Sequence, residues 1–268
     1  MRQPAGEAET VITAKIDDDF ARAVTVPGLA AARARFGRTT ATRLAALPGH
    51  PAYNKARGFN EDDGAQLERI CAFFTDAALL PLVEVWAGDA SATLGRRLAR
   101  AGFYAAEVNV TLRARPDRLS ATTAADPGVE IRELAAGDDD NGYLETLFDG
   151  YGLGADVASP QRTMMAVEHR SPHLRRYLAY VDDRPAAAAA LYTSGRRAYF
   201  AGAATIPAMR NRGCQTALIR RRLRDAATTS EQVVVTTAFG SPSQANLQRL
   251  GFGIVHTRAL WRPVTQPA

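Results

Sequence analysis

The chain has 268 residues, 33 Lys+Arg against 28 Asp+Glu, and a formal net charge of +5. Its apolar share of 46% and charged share of 23% sit near globular averages, which excludes wholesale disorder and leaves enough material for a sizeable core. The length allows one large domain or two modest ones.

Only Lys15 and Lys55 of the basic residues are lysine. Together with the many alanines this reads as a GC-rich coding bias, so arginine number alone is no sign of phosphate binding. Cys71 and Cys214 exclude a disulfide framework and point to a reduced compartment, the cytoplasm. His50, His169, His173 and His256 lack metal-ligand spacing, and no metal is expected. Glu7, Glu9 and Asp17 to Asp19 leave no apolar leader at the start, so no secretion signal is expected. The longest apolar run, 186–192, is too short to cross a bilayer.

In chain order, Asp76-Ala-Ala leads into a predicted strand over 79–86. A helix to Ala101, Gly102-Phe103 and an alternating strand over 105–112 follow. Residues 113–128 are rich in Pro, Ser, Thr, Ala and Asp without apolar period, and read as a linker. The expected division is a first domain 1–118, a linker 119–127 and a second domain 128–268.

Beyond the linker, a strand is expected over 129–134 and a helix over 138–149, whose triple acid suits the helix dipole. Ser159-Pro160 caps a helix to about His169. Strands over 176–181, 186–193 and 198–206 form a meander through turns at 182–185 and 195–196. The middle one is an alanine run whose helical propensity is overridden by the turns on each side. A loop over 207–212 enters a helix over 213–228. A strand over 233–238 and the capping box Ser241-Pro-Ser-Gln244 open the last helix, before Gly251-Phe252 and a final strand.

A shift of 149 residues puts Gly64 on Gly213, Ile70 on Ile219 and Arg100 on Arg249. The spacing from Asp76 to Gly102 equals that from Asp225 to Gly251. Matches in one register favour two copies of one βαβαβ unit.

The segment carrying chemistry runs from Ala203 to Leu218. A strand feeds a loop bearing Arg210 and Arg212, and Gly213 opens a helix with a small, uncharged first turn. Unpaired helix N–H groups, the dipole and a glycine that admits close approach make a pyrophosphate cradle.

With this order of elements, Arg210-x-x-Gly213-x-Gln215 and Arg249-Leu-Gly-Phe252 resemble the motifs of the GNAT acetyltransferase superfamily. The resemblance covers about 127–265, and the first half resembles a degenerate second copy. It implies an α/β (α+β) fold of two GNAT-like mixed-sheet domains in tandem. It also implies an N-acetyltransferase that moves an acetyl group from acetyl-CoA to a primary amine by direct attack. The backbone N–H of Ala203 would hold the acyl carbonyl, and Ala204, Thr205 and Ile206 the pantetheine. Arg210, Asn211, Arg212, Gly213, Cys214, Gln215 and Thr216 would take the pyrophosphate, with Ser243 and Asn246 close by.

Tyr199, at the strand parity of Ala203, is the candidate proton relay, and Asn246 could order a water. Gln215 stands where the family usually has Gly or Ala. Leu247 stands where the family's acid is a tyrosine. Cys214 reads as a packing residue. The first copy has Asn60-Glu-Asp-Asp-Gly64 at the phosphate loop, and its acids would repel CoA.

Residues 126–168 hold ten acids and two arginines, and 170–224 hold twelve arginines and two acids. The acidic stretch suggests a small cationic acceptor. Another acyl donor, including an aminoacyl-tRNA on the basic stretch, and a silent CoA-binding module remain as alternatives. The expected assembly is a monomer or homodimer without a membrane partner.

Overall fold

The computed structural model describes residues 3–119, 128–135, 137–154 and 159–264. In chain order the elements are α1 (Gln3–Ala23), β1 (Ala31–Phe36), β2 (Thr39–Leu44), β3 (Lys55–Arg57), α2 (Leu67–Thr75), β4 (Val83–Trp86), α3 (Ala92–Arg100), β5 (Phe103–Ala114), α4 (Pro116–Leu119) and β6 (Glu130–Leu134). They continue with α5 (Asn141–Tyr151), α6 (Pro160–His169), β7 (Leu174–Val181), β8 (Arg184–Ser194), β9 (Arg197–Thr205), α7 (Cys214–Ala226), β10 (Gln232–Ala238), α8 (Pro242–Arg249) and β11 (Gly253–Pro263). The end of β5 and α4 lie within the segment 113–128 that reads as a linker; of the expected linker 119–127, residues 120–127 lie outside the described residues.

Two compact units form. One comprises 1–111, 237–239 and 254–268, the other 112–236 and 240–253. The last strand therefore departs from the expected linear division, since most of β11 belongs to the first unit. There it pairs antiparallel with β4, from Arg258 opposite Trp86 to Trp261 opposite Val83. Shifted by 149 residues, α2, β4, α3 and β5 fall on α7, β10, α8 and β11.

In the first unit, α3 starts at Ser91, whose side chain accepts from the Leu94 N–H. Leu94 and Leu98, four apart on one helix face, are buried with Ile70, Phe74 and Val83. Beneath β11 lies a buried charge cluster. Lys55 Nζ is 2.9 Å from Glu84 Oε2, and Arg258 contacts both Glu9 (2.7 Å) and Glu84 (3.6 Å). Burial alone would raise the Glu84 carboxyl, but Lys55, Arg258 and Arg57 outweigh it and hold the group well below its usual range. Burial lowers the Lys55 ammonium to about 8 although Glu84 pulls the other way.

In the second unit β6, β7, β8 and β9 are antiparallel neighbours, and β10 joins β9 in parallel. α5 and α6 pack over Leu178, Ala188 and Ala204 on one face. Arg221 and Arg222 of α7 stack on Tyr177 and Phe200, whose register places them on the opposite face. The alanine run of β8 is a strand, fully buried. A central strand covered on both faces takes its conformation from its neighbours, and tertiary pairing overrides propensity there.

Ala189 pairs with Ala203 but Ala190 with Ala201, so Gly202 is an extra residue in β9. It adopts φ +48°, and a Cβ there would lie 2.5 Å from the His169 ring. This bulge reverses the strand parity. Tyr199 faces the side of Ala204, opposite to Ala203, which corrects the expectation that Tyr199 and Ala203 share a face.

Candidate active site

The loop after β9 builds an anion cradle from backbone. Asn211 and Gly213 both adopt positive φ, +63° and +81°. Gly213 caps α7, and the first helical hydrogen bond runs from Ala217 N–H to Gly213 C=O. The amides of Cys214, Gln215 and Thr216 thus have no acceptor within the helix, and the positive dipole end adds to them. A Cβ on Gly213 would meet only Val129, at 3.8 Å, so backbone conformation rather than space calls for glycine.

Beside the cradle, β9 parts from β10. Their pairing ends at Tyr199 opposite Val234, while β9 continues to Thr205. The cleft there has a volume of about 620 Å³. Its walls include Ala203, Ala204, Thr205, Arg210, Asn211, Gly213, Cys214, Gln215, Thr216 and Asn246, all expected from the sequence. Gln215 accounts for its own departure from the motif. Its amide receives a hydrogen bond from Asn246 (2.8 Å) and donates to Ser243 (3.3 Å), tying the first turn of α7 to α8.

Four expected site residues stand elsewhere. Tyr199 bonds Thr236 at 3.1 Å and is no part of the cleft wall. The Ile206 N–H donates to Ala186 and its carbonyl accepts from Met209, so its backbone is already used. The Arg212 guanidinium pairs with Asp182 at 2.7 Å, away from the cradle. Ser243 acts through Gln215 rather than lining the cleft. Cys214 is buried, which pushes its thiol up and suits a packing role.

Gly150, Tyr151 and Arg249 were not read from the sequence as cleft residues, and Arg222 was read only as one of the basic stretch on the helix after the loop. Tyr151 ends α5, and its hydroxyl accepts a hydrogen bond from the Ala203 N–H at 3.1 Å. That N–H is the donor the resemblance assigns to the acyl carbonyl. Gly150 lets α5 come this close, since a Cβ there would lie 2.6 Å from the Ala204 Cβ. Leu247, at the position of the family's acid, is buried instead. Behind the bulge the buried Tyr143 hydroxyl lies 2.8 Å from His169 Nδ1. Burial raises this phenol well above its usual range.

Arg222 lies under the cleft. Its Nη1 donates to the Ala190 carbonyl (3.0 Å) and its Nε to that of Leu218 (3.1 Å). The guanidinium sits 3.9 Å above the Phe200 ring. Burial lowers it to about 10. The only signal for it in the sequence was a place in an arginine run.

The two charge blocks meet in part: Asp140 bonds Arg170 and Arg176, and Glu133 bonds Arg175 and Arg221, while Glu145 bonds Arg162 and Glu130 bonds Arg132 within the acidic block. Asp126 and Asp156 lie outside the described residues. Among the described residues no cluster of His, Cys, Asp and Glu could hold a metal, and no helix is long and apolar enough to cross a membrane.

A family model described as an acetyltransferase (GNAT) domain matches residues 90–235. The chain belongs to the GNAT acetyltransferase family. The GNAT fold is shared with solved structures at low identity. A GCN5-related N-acetyltransferase from Kribbella flavida has a TM-score of 0.63 at 15% identity, covering 94% of this chain and 95% of that one. A tandem GNAT protein from the clavulanic acid biosynthesis pathway, solved without AcCoA, has a TM-score of 0.63 at 15% identity, covering 94% and 89%. A conserved protein of unknown function from Staphylococcus epidermidis has a TM-score of 0.62 at 13% identity, covering 88% and 96%. No curated protein matches the sequence. This GNAT chain is thus an acetyltransferase family member with a mixed-sheet fold.

Proposed function

We propose that the second unit is an acyl-CoA-dependent N-acyltransferase that moves a short acyl group, acetyl being the simplest, to an amine of a small molecule in the cytoplasm. The observation that carries this reading is the free-amide cradle at Gly213 opening into the gap between β9 and β10. Arg210, Arg249 and the amides of α7 would hold the phosphates. The Ala203 N–H would hold the acyl carbonyl and favour its developing negative charge. CoA supplies the activated thioester, and the protein's part is to orient it. Tyr151 is the one hydroxyl of the cleft at that donor, which makes it the better candidate than Tyr199 for moving a proton to the leaving sulfur.

The proposed acceptor is an amine, but four of the acids expected to attract a cationic one, Glu130, Glu133, Asp140 and Glu145, are bound to arginines. An uncharged or amphoteric amine therefore fits the cleft as well as a cationic one.

We propose the first unit as a degenerate copy that does not bind CoA, on a ground different from charge repulsion. Asp63 turns inward, accepting from the Arg38 and Thr39 amides at 3.0 and 2.8 Å. Arg97 fills the space at Gly64, donating to its carbonyl at 3.0 Å. β3 and β4 remain paired, and the Phe59 N–H bonds the Glu84 carbonyl beyond them.

Calorimetric titration of CoA tests the site. Wild type should bind one CoA per chain. Gly213→Asp should lose about a hundredfold or more in affinity, because a carboxylate roughly 5 Å from a phosphate charge costs about 3 kcal/mol at an effective dielectric constant of 20. Absence of wild-type binding would refute the proposal.

A further inference from the structure

Arg222 is the one arginine of its run that lies wholly in the interior. It is 2% exposed and lines the cleft, yet no carboxylate among the described residues pairs with it. Its neighbour Arg221 has Glu133 and Asp225, and Arg175 has the same two acids. Arg222 has two backbone carbonyls and a phenylalanine face, and the ionisable groups around it are the phenols of Tyr143, Tyr177 and Tyr151. A buried guanidinium with neutral partners is an anion site whose anion is not among the described residues. Arginine, with its planar fork, is suited to a carboxylate.

Its place along β9 says which carboxylate. Thr205 and Ala203 follow one another on the wall beside the cradle, and Phe200, under the guanidinium, lies further along in the same direction. From Ala203 to Phe200 the strand advances roughly 7–10 Å, allowing for the bulge. Beyond a carbonyl held at Ala203, two methylenes and a carboxyl carbon extend roughly 4 Å. A hydrogen bond of about 2.9 Å and the width of the guanidinium cover the remainder.

We infer that the preferred donor is the CoA thioester of a short dicarboxylic acid, whose free carboxylate is held by Arg222. The inference rests on the proposed placement of the acyl carbonyl at Ala203.

The test is calorimetric titration of the full chain with CoA, acetyl-CoA and succinyl-CoA at neutral pH. Succinyl-CoA should bind about tenfold or more tightly than acetyl-CoA, the range of a hydrogen-bonded charge pair. Arg222→Gln keeps an amide N–H at the chain position of Nε, which donates to the Leu218 carbonyl, but removes the charge. It should erase the preference for succinyl-CoA over acetyl-CoA. Equal or weaker binding of succinyl-CoA by wild type overturns the inference without reference to any variant. So does a preference that survives in a folded Arg222→Gln protein. Failure of all three ligands to bind wild type would overturn the CoA site itself, and is thereby distinguished from failure at Arg222 alone.

Discussion

Replacing Tyr151 by Phe removes one oxygen and leaves the ring that ends α5. In the structure this oxygen accepts from the Ala203 N–H at 3.1 Å, where the proposed function requires a thioester carbonyl. One N–H cannot serve both acceptors in good geometry, so acyl-CoA must displace the phenol. The displaced bond is worth about 1 kcal/mol net, which predicts that Tyr151→Phe binds acetyl-CoA about fivefold more tightly. CoA without an acyl group has no carbonyl to compete and should bind unchanged. If the phenol then hands its proton to the leaving sulfur, the variant's kcat should fall by about a hundredfold or more. Tyr151 is 47% exposed, so the fold should tolerate the change. Calorimetry with both ligands and a thiol-release assay give the three numbers. Equal shifts for CoA and acetyl-CoA, or none, together with an unchanged kcat, would refute the reasoning for both roles.

The bulge and the buried charges make two further predictions. Gly202→Ala forces a Cβ to within 2.5 Å of the His169 ring at a positive φ, so thermal melting should show a loss of about 2 kcal/mol or more, with weakened acyl-CoA binding. A wild-type melting curve in that variant would mean that the bulge relaxes freely. Glu84 has a folded-state carboxyl held low by Lys55, Arg258 and Arg57, so its contribution is full above the unfolded value near 4.3 and is lost as the pH falls toward the folded one. The stability gap between wild type and Glu84→Gln in urea should therefore be wide at pH 7 and narrow progressively below about pH 4.3. A gap independent of pH would show that the carboxylate's charge is not what stabilises the first unit.

Much of the second unit could be read from local chemistry. Ser241 accepts from the Gln244 N–H as its capping pattern predicts, and Pro160 opens α6 as expected, although the Ser159 side chain makes no capping bond. The glycine at 213 takes the left-handed backbone conformation that a cradle needs. The alanine run was legible as a strand from the turns that bound it. Less of the first unit was legible: α1, β1 and β2 carry no motif, and their ranges came only from the fold.

The sequence by itself determined the family motifs, the order of elements in the second unit and the backbone chemistry of the cradle, because caps, turns and glycine conformations depend on neighbours along the chain. The tertiary structure decided where the side chains go. One extra residue at Gly202 turned Tyr199 away from Ala203, and the approach of α5 brought Tyr151 to that N–H. It also sent β11 to β4 and gave the arginine run different fates, with Arg221 bound to acids and Arg222 buried with no acid partner among the described residues. Bulges, strand partners and ion pairs are long-range choices among many near-equivalent residues, and no local pattern of residues selects among them.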